Sequence, residues 1–307
     1  MNIVLFTQNR WAFGNIHHSL AKYLYQHKIY AEVVDFTVSY KQDEFVLLNE
    51  WADFFITNPD AVQPLQSYNI PSEKIIAVAH ARWDIQRALH QDPSIFDNVK
   101  EYCVVSKYLQ EFSKQIGIRR NPLYLPVGIF TDKYFFDNFE NNSEFVVGYA
   151  GAFVSQNWEG KEIKRGYLVE RIVNELKTEG YSISFRPHNF YMWQSMPAYY
   201  RYINALLVTS TEEGAGLPFM EALAAGKHVI TTDVGYVRED PYFFNFKVEV
   251  NDDIEKTVTD FKECLKTLLE CSCEKRKKMS EYNRFISRYY DWEHRGKYWS
   301  DFLLNLK

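Results

Sequence analysis

The stretch that decides the fold is STEEGAGLPFMEALAAG, residues 210–226. An apolar run typical of a buried strand precedes it at residues 205–208, and another follows it at residues 228–232. The stretch itself predicts a turn and then a helix, with Pro218 at the first helical position and Gly226 as the C-terminal cap. A strand, a turn, a helix and a second strand in this order are typical of an open α/β sheet, which binds ligands at the carboxyl ends of its strands.

Two carboxylates stand eight positions apart in this stretch. Glu213 lies on the turn, where it can reach the polar end of a ligand, and Glu221 lies about one turn into the helix. Glu221 can accept hydrogen bonds from vicinal hydroxyls such as those of a ribose. A simpler interpretation is that it only complements the helix N-terminus, which contributes about 0.3–1 kcal/mol. Four turn residues would offer backbone N–H groups to an anion: Gly214, Ala215, Gly216 and Leu217.

The whole pattern resembles the Glu-x7-Glu signature of retaining glycosyltransferases of family 4, which have the GT-B fold. The resemblance continues in VGYVRE, residues 234–239, which is similar to the G-x-x-E segment after the next strand of that family. It implies an α/β architecture of two Rossmann-like domains facing a central cleft, with a C-terminal crossover helix. It also implies that Glu213 lies near the transferred sugar and that Glu221 holds the nucleotide ribose.

The domain boundary is predicted near residue 140. LPVGIFTDKYF, residues 125–135, resembles the P-x-G-x-D-x-x-x-F segment that precedes the interdomain linker of the family, although Asp132 comes late in that pattern. The polar residues 137–143 form the predicted linker. We therefore expect three segments: an acceptor domain over residues 1–140, a donor domain over residues 141–291, and a helix over about residues 292–307 that packs back on the first domain.

Short apolar runs alternate with helical patterns, as in βαβ units. They predict strands at residues 3–6, 31–36, 54–57, 74–79, 102–105, 123–126, 145–149, 182–185, 205–208 and 228–232. Ser106 is the predicted N-cap of a helix over residues 107–116, which Gly117 closes. Asp252 with Glu255 resembles a capping box for a helix that runs toward residue 269, and another helix is predicted at residues 273–289.

Basic residues are candidates for binding the diphosphate of a donor, since its leaving group gains negative charge. Lys164 or Arg165, just before Gly166, would take the role of the family lysine, and Arg186 is a second candidate. The family arginine is missing from GYAGAF, residues 148–153, which indicates either a rearranged phosphate site or reduced activity. A solvated cluster of loop charges is an equally good interpretation of each basic residue between 161 and 165.

The first half of the chain supplies candidates for the sugar and the acceptor. His80 directly follows the predicted strand at residues 74–79, and the resemblance implies that it touches the donor sugar as a neutral imidazole. Gly14, after the first predicted strand, permits a close backbone approach. The bulky Trp11 and Phe13 could line an acceptor pocket.

Composition narrows the class of protein. The 307 residues have room for two domains of ordinary size, and a net charge of −5 argues against a nucleic-acid partner. Neither a long apolar run nor a basic leader is present, so we expect a cytoplasmic protein, with peripheral contact at the inner face of the membrane left open. Four cysteines favour free thiols, with the close spacing of Cys271 and Cys273 as a weaker metal alternative. No Asp-x-Asp pair is present, and we predict metal independence.

We therefore expect a retaining glycosyltransferase that needs no cofactor and moves a sugar from a nucleotide-diphosphate sugar to a glycan or lipid-linked acceptor. The resemblance implies a role in the synthesis of cell-surface polysaccharides or glycoconjugates. One alternative is a GT-B nucleotide-binding or scaffold protein that has lost turnover, as the missing arginine would suggest. The other is a nicotinamide-dependent oxidoreductase, which is disfavoured because the first βα turn lacks Gly-x-Gly-x-x-Gly.

Overall fold

The structure is a computed structural model that describes residues 1–9, 11–136, 144–157, 159–188, 192–243 and 246–306. The chain divides into two compact α/β units. The first unit comprises Met1–Ile129 and Trp292–Lys307, and the second comprises Phe130–Asp291. The predicted linker at residues 137–143 lies outside the described residues.

The first unit is built on a sheet of six parallel strands in the order β2-β1-β3-β4-β5-β6. Its strands are β1 (Asn2–Thr7), β2 (Tyr30–Asp35), β3 (Phe54–Thr57), β4 (Ile75–Ala79), β5 (Glu101–Val104) and β6 (Leu123–Tyr124). Its helices are α1 (Trp11–Gln26), α2 (Gln42–Trp51), α3 (Val62–Ser67), α4 (Arg82–Gln91), α5 (Ile95–Asn98), α6 (Lys107–Gln115) and the C-terminal helix (Trp292–Asn305).

The second unit has five parallel strands in the order β11-β10-β9-β7-β8. Its strands are β7 (Phe145–Tyr149), β8 (Ile183–Pro187), β9 (Ala205–Val208), β10 (His228–Thr232) and β11 (Lys247–Val248). Its helices are α7 (Tyr167–Thr178), α8 (Met196–Tyr200), α9 (Leu217–Ala224), α10 (Tyr236–Glu239), α11 (Ile254–Leu269) and α12 (Cys273–Ile286). The two-residue β11 is too short to show an alternating pattern, and it was not predicted.

The central strands are buried along most of their length because helices cover both faces of each sheet. All five residues of β4 and all five of β10 are buried. A continuous apolar run is typical of a parallel strand in such a sheet. This pattern is the reason that the ten predicted strands all occur, with ends that differ by at most two residues.

Side-chain caps fix where several helices begin. Ser106 Oγ accepts a hydrogen bond from the Leu109 N–H at 3.3 Å, and this confirms the predicted start of α6. The prediction that Asp252 caps α11 is wrong by one residue. Asp253 is the cap, and its carboxylate accepts from the N–H groups of Glu255 and Lys256.

The helix α9 is buried on every side. All of its residues except Pro218 are buried, and its sequence is therefore mostly apolar rather than amphipathic. Pro218 is the second helical residue and not the first, because Leu217 already has helical geometry. Gly226 has a φ of +67°, in the left-handed region, and so ends the helix as predicted.

The chain enters the second unit at residue 130 and leaves it at residue 291, and these two points are bonded to each other. The Thr131 N–H and Oγ1 both donate to Asp291 Oδ2, at 2.9 and 2.5 Å. Because of these contacts, Phe130 and the residues that follow belong to the second unit, about ten residues before the predicted boundary.

The C-terminal helix belongs to the first unit. The Trp292 N–H donates to the Ile129 carbonyl at 2.9 Å, and Trp299 Nε1 donates to the Pro126 carbonyl at 2.8 Å. At Gly296 the helix lies so close to α1 that an added Cβ would be 2.4 Å from the ring of Tyr23. A glycine is required there for the two helices to pack.

We expect Gly296→Ala to destabilise the protein by about 1–3 kcal/mol, as overpacking of a core contact does. In an ordinary helix this substitution would stabilise by up to about 1 kcal/mol. Whether Gly296→Ala raises or lowers the free energy of unfolding therefore distinguishes a close helix contact from an ordinary helical position. Urea unfolding measures the change, with Lys297→Ala at the neighbouring exposed position as the control. A Gly296→Ala variant that is as stable as the parent would contradict the close packing on Tyr23.

Candidate functional site

The candidate site lies at the carboxyl edge of the second sheet, where β7 and β9 are neighbours. The chain continues from β7 to β8 on one side and then to β9 on the other, so the strand order reverses between β7 and β9. In open α/β sheets, ligands bind outside the carboxyl ends of the strands at such a reversal. Lys164 follows β7 and Glu213 follows β9. The topology therefore brings these two predicted residues to one edge.

Hydrogen bonds to backbone carbonyls hold the two loops against each other. Thr209 Oγ1 donates to the carbonyls of Lys164 and Arg165, at 3.0 and 2.9 Å. The Thr211 N–H donates to the Ile163 carbonyl at 2.8 Å. The backbone that carries Lys164 is thereby fixed beside the start of the loop that follows β9.

The side chains of Lys164 and Glu213 form an ion pair. Lys164 Nζ donates to Glu213 Oε1 at 2.5 Å, and Ser210 Oγ donates to the same oxygen at 2.8 Å. Only 26% and 14% of the two side chains are exposed, so solvent screens the pair less than it screens a surface salt bridge. Opposite charges are thus held in contact at the edge of the sheet.

A second close approach positions the turn before α9. Gly216 has a φ of +85°, which lets the chain turn into the helix. Gly235, after β10, has a φ of +54°, and a Cβ at this position would lie 2.6 Å from the Ala215 carbonyl oxygen. The Tyr236 N–H donates to that same oxygen at 3.0 Å. The turn from Gly214 to Leu217 is therefore braced by the loop that follows β10.

Glu221 is buried on α9 with only 2% of its surface exposed. Each of its oxygens accepts a phenolic hydrogen bond, Oε1 from Tyr134 at 2.8 Å and Oε2 from Tyr200 at 3.0 Å. A carboxylate without such donors would be costly to bury. Burial and the neighbouring carboxylate raise the pKa of Tyr200 well above its usual value, so its hydroxyl keeps the proton that it donates.

The other two basic candidates, Arg165 and Arg186, contact groups other than Glu213. Arg165 is buried and has a φ of +49°. Its Nε and Nη1 donate to the carbonyls of Thr209 and Asn251, at 3.0 and 2.8 Å, whereas its buried Nη2 has no hydrogen-bond partner within the described residues. Arg186 is exposed near the end of β8, and its guanidinium lies 5.2 Å from the centre of the Tyr202 ring. Of the three basic candidates, Lys164 is the one that contacts Glu213.

A tyrosine fills the space in the loop from which the family arginine is missing. A Cβ on Gly166 would lie 2.5 Å from the Tyr149 ring, and one on Gly151 would lie 3.0 Å from its hydroxyl. That hydroxyl donates to the Ala152 carbonyl at 2.7 Å. The two glycines therefore make room for an aromatic ring between the end of β7 and the start of α7.

In the first unit, the predicted residues gather at the carboxyl ends of β1 and β4. The buried His80 ring lies 5.2 Å from Phe13 and 5.4 Å from His17, between ring centres. Neither ring nitrogen of His80 has a hydrogen-bond partner among residues that the structure describes. Gly14 lies buried inside α1, and the side chain of Trp11 is outside the described part of the structure.

These two histidines are uncharged at neutral pH. Burial lowers the pKa of His17 to about 4. Burial, together with the neighbouring His17, lowers the pKa of His80 well below its usual value. A neutral imidazole has one N–H donor and one bare nitrogen. His80 can therefore donate to one hydroxyl of a ligand and accept from another.

Sequence reasoning missed four residues that complete these arrangements: Ser210, Tyr134, Tyr200 and His17. Tyr134 had a detectable signal, since it stands where the P-x-G-x-D-x-x-x-F pattern, counted from Pro126, places its final aromatic residue. For the other three, nothing in the local pattern shows which distant side chain they contact.

The described residues contain neither a metal-binding cluster nor a helix that could span a membrane. Among the described residues, no group of three or more His, Cys, Asp or Glu side chains could hold a metal ion. The four cysteines are free thiols, as expected. In the same part of the chain, no helix is both long enough and apolar enough to cross a membrane.

Residues 165–285 match the family model of glycosyl transferases group 1, which covers most of the second unit. No curated protein matches the chain.

Solved structures share the fold over the whole chain. Sucrose-phosphate synthase from Thermosynechococcus elongatus is 14% identical with a TM-score of 0.66, and the match covers 99% of this chain and 98% of that one. HepE from Anabaena, solved in complex with UDP-glucose, is 13% identical with a TM-score of 0.70, and covers 99% and 100%. The lipopolysaccharide outer core galactosyltransferase WaaB is 14% identical with a TM-score of 0.63, and covers 99% of each chain.

Identities this low show the fold alone, and that fold is the predicted GT-B architecture of two Rossmann-like α/β units. Together with the family match in the second unit, it supports membership of the GT-B glycosyltransferase superfamily. The individual roles predicted for the site residues stay predictions.

We expect Gly235→Ala to destabilise the second unit by about 1–3 kcal/mol, because the new Cβ would meet the Ala215 carbonyl. Gly180→Ala is the matched control, since Gly180 also has a positive φ (+97°) but has no heavy atom within 4 Å of the added Cβ. Urea unfolding of both variants separates backbone strain from the clash. Equal losses in the two variants would show that the loop after β10 does not brace the turn.

Lowering the pH from 7 to 5 is expected to destabilise the fold. Burial holds the pKa values of His17, His80 and His228 below the unfolded value near 6.5. As the pH falls, the unfolded chain therefore binds protons before the folded protein does. Each histidine then lowers the free energy of unfolding by up to about 1.4 kcal/mol per pH unit. Burial raises the pKa of Asp84 to about 7, so at this carboxyl the folded protein binds the proton first. Its protonation stabilises the fold as the pH falls and offsets the destabilisation from one histidine.

Thermal melts across this range measure the effect. The fall in melting temperature should be smaller in His228→Gln, which lacks one of the three rings. Parallel pH profiles for the parent and this variant would show that burial of His228 does not depress its pKa.

Proposed function

We propose that this protein is a retaining glycosyltransferase that transfers a sugar from a nucleoside-diphosphate sugar to a hydroxyl of its acceptor. The observation that carries the proposal is the contact between Lys164 and Glu213 beside the start of α9, at the point where the strand order of the second sheet reverses. The match of residues 165–285 to the group 1 glycosyltransferases supports it.

The donor diphosphate would bind at the turn before α9. Backbone N–H groups at a helix N-terminus attract anions. Lys164 would exchange its contact with Glu213 for a phosphate oxygen, or bridge the two. As the bond between the sugar and the diphosphate breaks, negative charge grows on the leaving phosphate, and a cation already held at that place stabilises it.

The reaction would retain the anomeric configuration. The departing phosphate oxygen takes the proton of the acceptor hydroxyl, and the acceptor oxygen bonds to the anomeric carbon on the face that the phosphate leaves. Glu213 would support positive charge on the sugar electrostatically rather than act as a free nucleophile. Ser210 Oγ, which donates to Glu213 Oε1, would hold the carboxylate in place. His80, neutral at pH 7, would hydrogen-bond a sugar hydroxyl.

The nucleoside would be held by Glu221, with the ribose hydroxyls donating to its carboxylate. Structures of HepE contain UDP, UDP-glucose, or UDP and glucose, so uridine is the first base to test here. We further propose a glycan or lipid-linked acceptor, a place in cell-surface polysaccharide or glycoconjugate synthesis, metal-independent action and a cytoplasmic location with peripheral membrane contact.

A second candidate function is nucleotide binding without turnover. It is favoured by the surroundings of Arg165, whose guanidinium donates to two backbone carbonyls, and of Tyr149, which fills the loop without an arginine. Lys164 would then be the main cation at the phosphate. An enzyme and a binding protein of this kind differ in whether the donor is consumed.

Nucleotide binding is tested by thermal stabilisation with UDP, ADP, GDP and their glucose conjugates. A ligand at about 100 times its dissociation constant stabilises by about 2.7 kcal/mol. We expect one base to stabilise the parent, and Glu221→Gln to weaken its binding about tenfold or more, since a hydrogen bond to a charged group is lost. Glu274→Gln, at an exposed position of α12, is the control.

Consumption of the donor then separates the two functions. Release of free sugar or its transfer from the stabilising donor supports the glycosyltransferase, whereas binding without consumption supports the nucleotide-binding protein. If no nucleotide stabilises the parent, or if Glu221→Gln binds as well as Glu274→Gln, the proposed donor site is wrong.

A further inference from the structure

The carboxylate of Glu221 is closed off by two tyrosines. Oε1 accepts from Tyr134 and Oε2 from Tyr200, and the two tyrosine rings meet edge to face with their centres 6.0 Å apart. The three residues expose 2%, 3% and 0% of their surfaces. A ligand hydroxyl therefore reaches this carboxylate only by taking the place of a group that already covers it.

The two tyrosines are held differently. Tyr200 belongs to α8, and its hydroxyl has a second acceptor in the Pro218 carbonyl at 3.3 Å. Tyr134 lies outside any helix or strand, directly after the short 3-10 turn Thr131–Lys133. The backbone of Tyr134 is held by Arg284 Nη1, which donates to its carbonyl at 3.3 Å. Movement of Tyr134 would therefore disturb no helix, whereas Tyr200 is part of α8.

We propose that the Tyr134 hydroxyl occupies the position of a ribose hydroxyl on Glu221, and that a bound nucleotide replaces it there. Tyr200 keeps its hydrogen bond to Oε2 and holds the carboxylate in orientation. Tyr134 is in this sense a specificity-determining residue, because its hydroxyl makes the hydrogen bond to Glu221 that a ligand must match. This inference rests on the proposed nucleotide site and adds a competitor within it.

The exchange has a consequence for the ligand. A ribonucleotide gains hydrogen bonds to Glu221 but displaces the one from Tyr134, so the displaced bond offsets part of the affinity that the ribose hydroxyls contribute. A 2′,3′-dideoxynucleotide has no hydroxyl to offer and leaves Tyr134 in place. Removal of the Tyr134 hydroxyl should therefore strengthen binding of the ribonucleotide and leave binding of the dideoxynucleotide unchanged.

The experiment measures dissociation constants of UDP and 2′,3′-dideoxy-UDP for the parent, Tyr134→Phe and Tyr200→Phe by calorimetry. If the panel above selects another base, the corresponding pair is used. Tyr134→Phe should bind UDP about three- to tenfold more tightly, the effect of one net hydrogen bond, with no change for the dideoxy compound. Tyr200→Phe is the matched control, since it removes the other phenol from the same carboxylate, and it should bind UDP more weakly.

The outcomes are distinct. Weaker binding of UDP by Tyr134→Phe, an equal gain for both ligands, or the same gain in Tyr200→Phe would overturn the exchange while leaving the nucleotide site intact. A parent that binds no nucleotide removes the proposed function and this inference with it. Phenylalanine preserves the buried ring, and the melting temperature of each variant without ligand shows that it is folded.

Discussion

The contact between the loops that leave β7, β9 and β10 is the constraint on which the rest of the second unit depends. Parallel strands bring their carboxyl ends to one edge, but the loops need further contacts to stay together. The Thr209 hydroxyl supplies these for the first two loops, and the approach of Gly235 to the Ala215 carbonyl supplies them for the third. The ion pair of Lys164 and Glu213 forms within this frame.

Buried polar groups distinguish the site from the apolar core around it. The core of the second unit is lined by aliphatic and aromatic side chains such as Val147, Ile172 and Phe261. Glu221 stands on an otherwise apolar helix and needs two phenols to satisfy it. An apolar side chain of similar volume would often be as stable at such a position. Stability alone therefore does not explain a carboxylate at this position, whereas the proposed nucleotide site does.

The two units supply different chemistry. The second offers a helix N-terminus, a cation and two carboxylates, which suit a charged donor. The first offers neutral rings, with His80 unpartnered among the described residues and Phe13 beside it, which suit an uncharged ligand rich in hydroxyls. Solved structures at 13–14% identity share this architecture, yet fold does not decide function, which lies in the residues of the site.

The sequence by itself determined the parallel sheets, the ten predicted strands and α9. Continuous apolar runs, Gly226 and the Glu-x7-Glu spacing are local signals, and they are sufficient for these elements. It also indicated Glu213 and, as alternatives, Lys164 or Arg165, whose loops the strand order brings together. The structure then showed that Lys164 is the one that contacts Glu213. Only the tertiary structure decided that Asp253 and not Asp252 caps α11, that Phe130 begins the second unit, and that Tyr134 and Tyr200 cover Glu221. The contacts of Glu221 and of Thr131 join residues 21 to 160 positions apart, and no local pattern shows which distant residue each side chain contacts. Asp252 and Asp253 are adjacent carboxylates, so the sequence alone does not choose between them as the cap of α11.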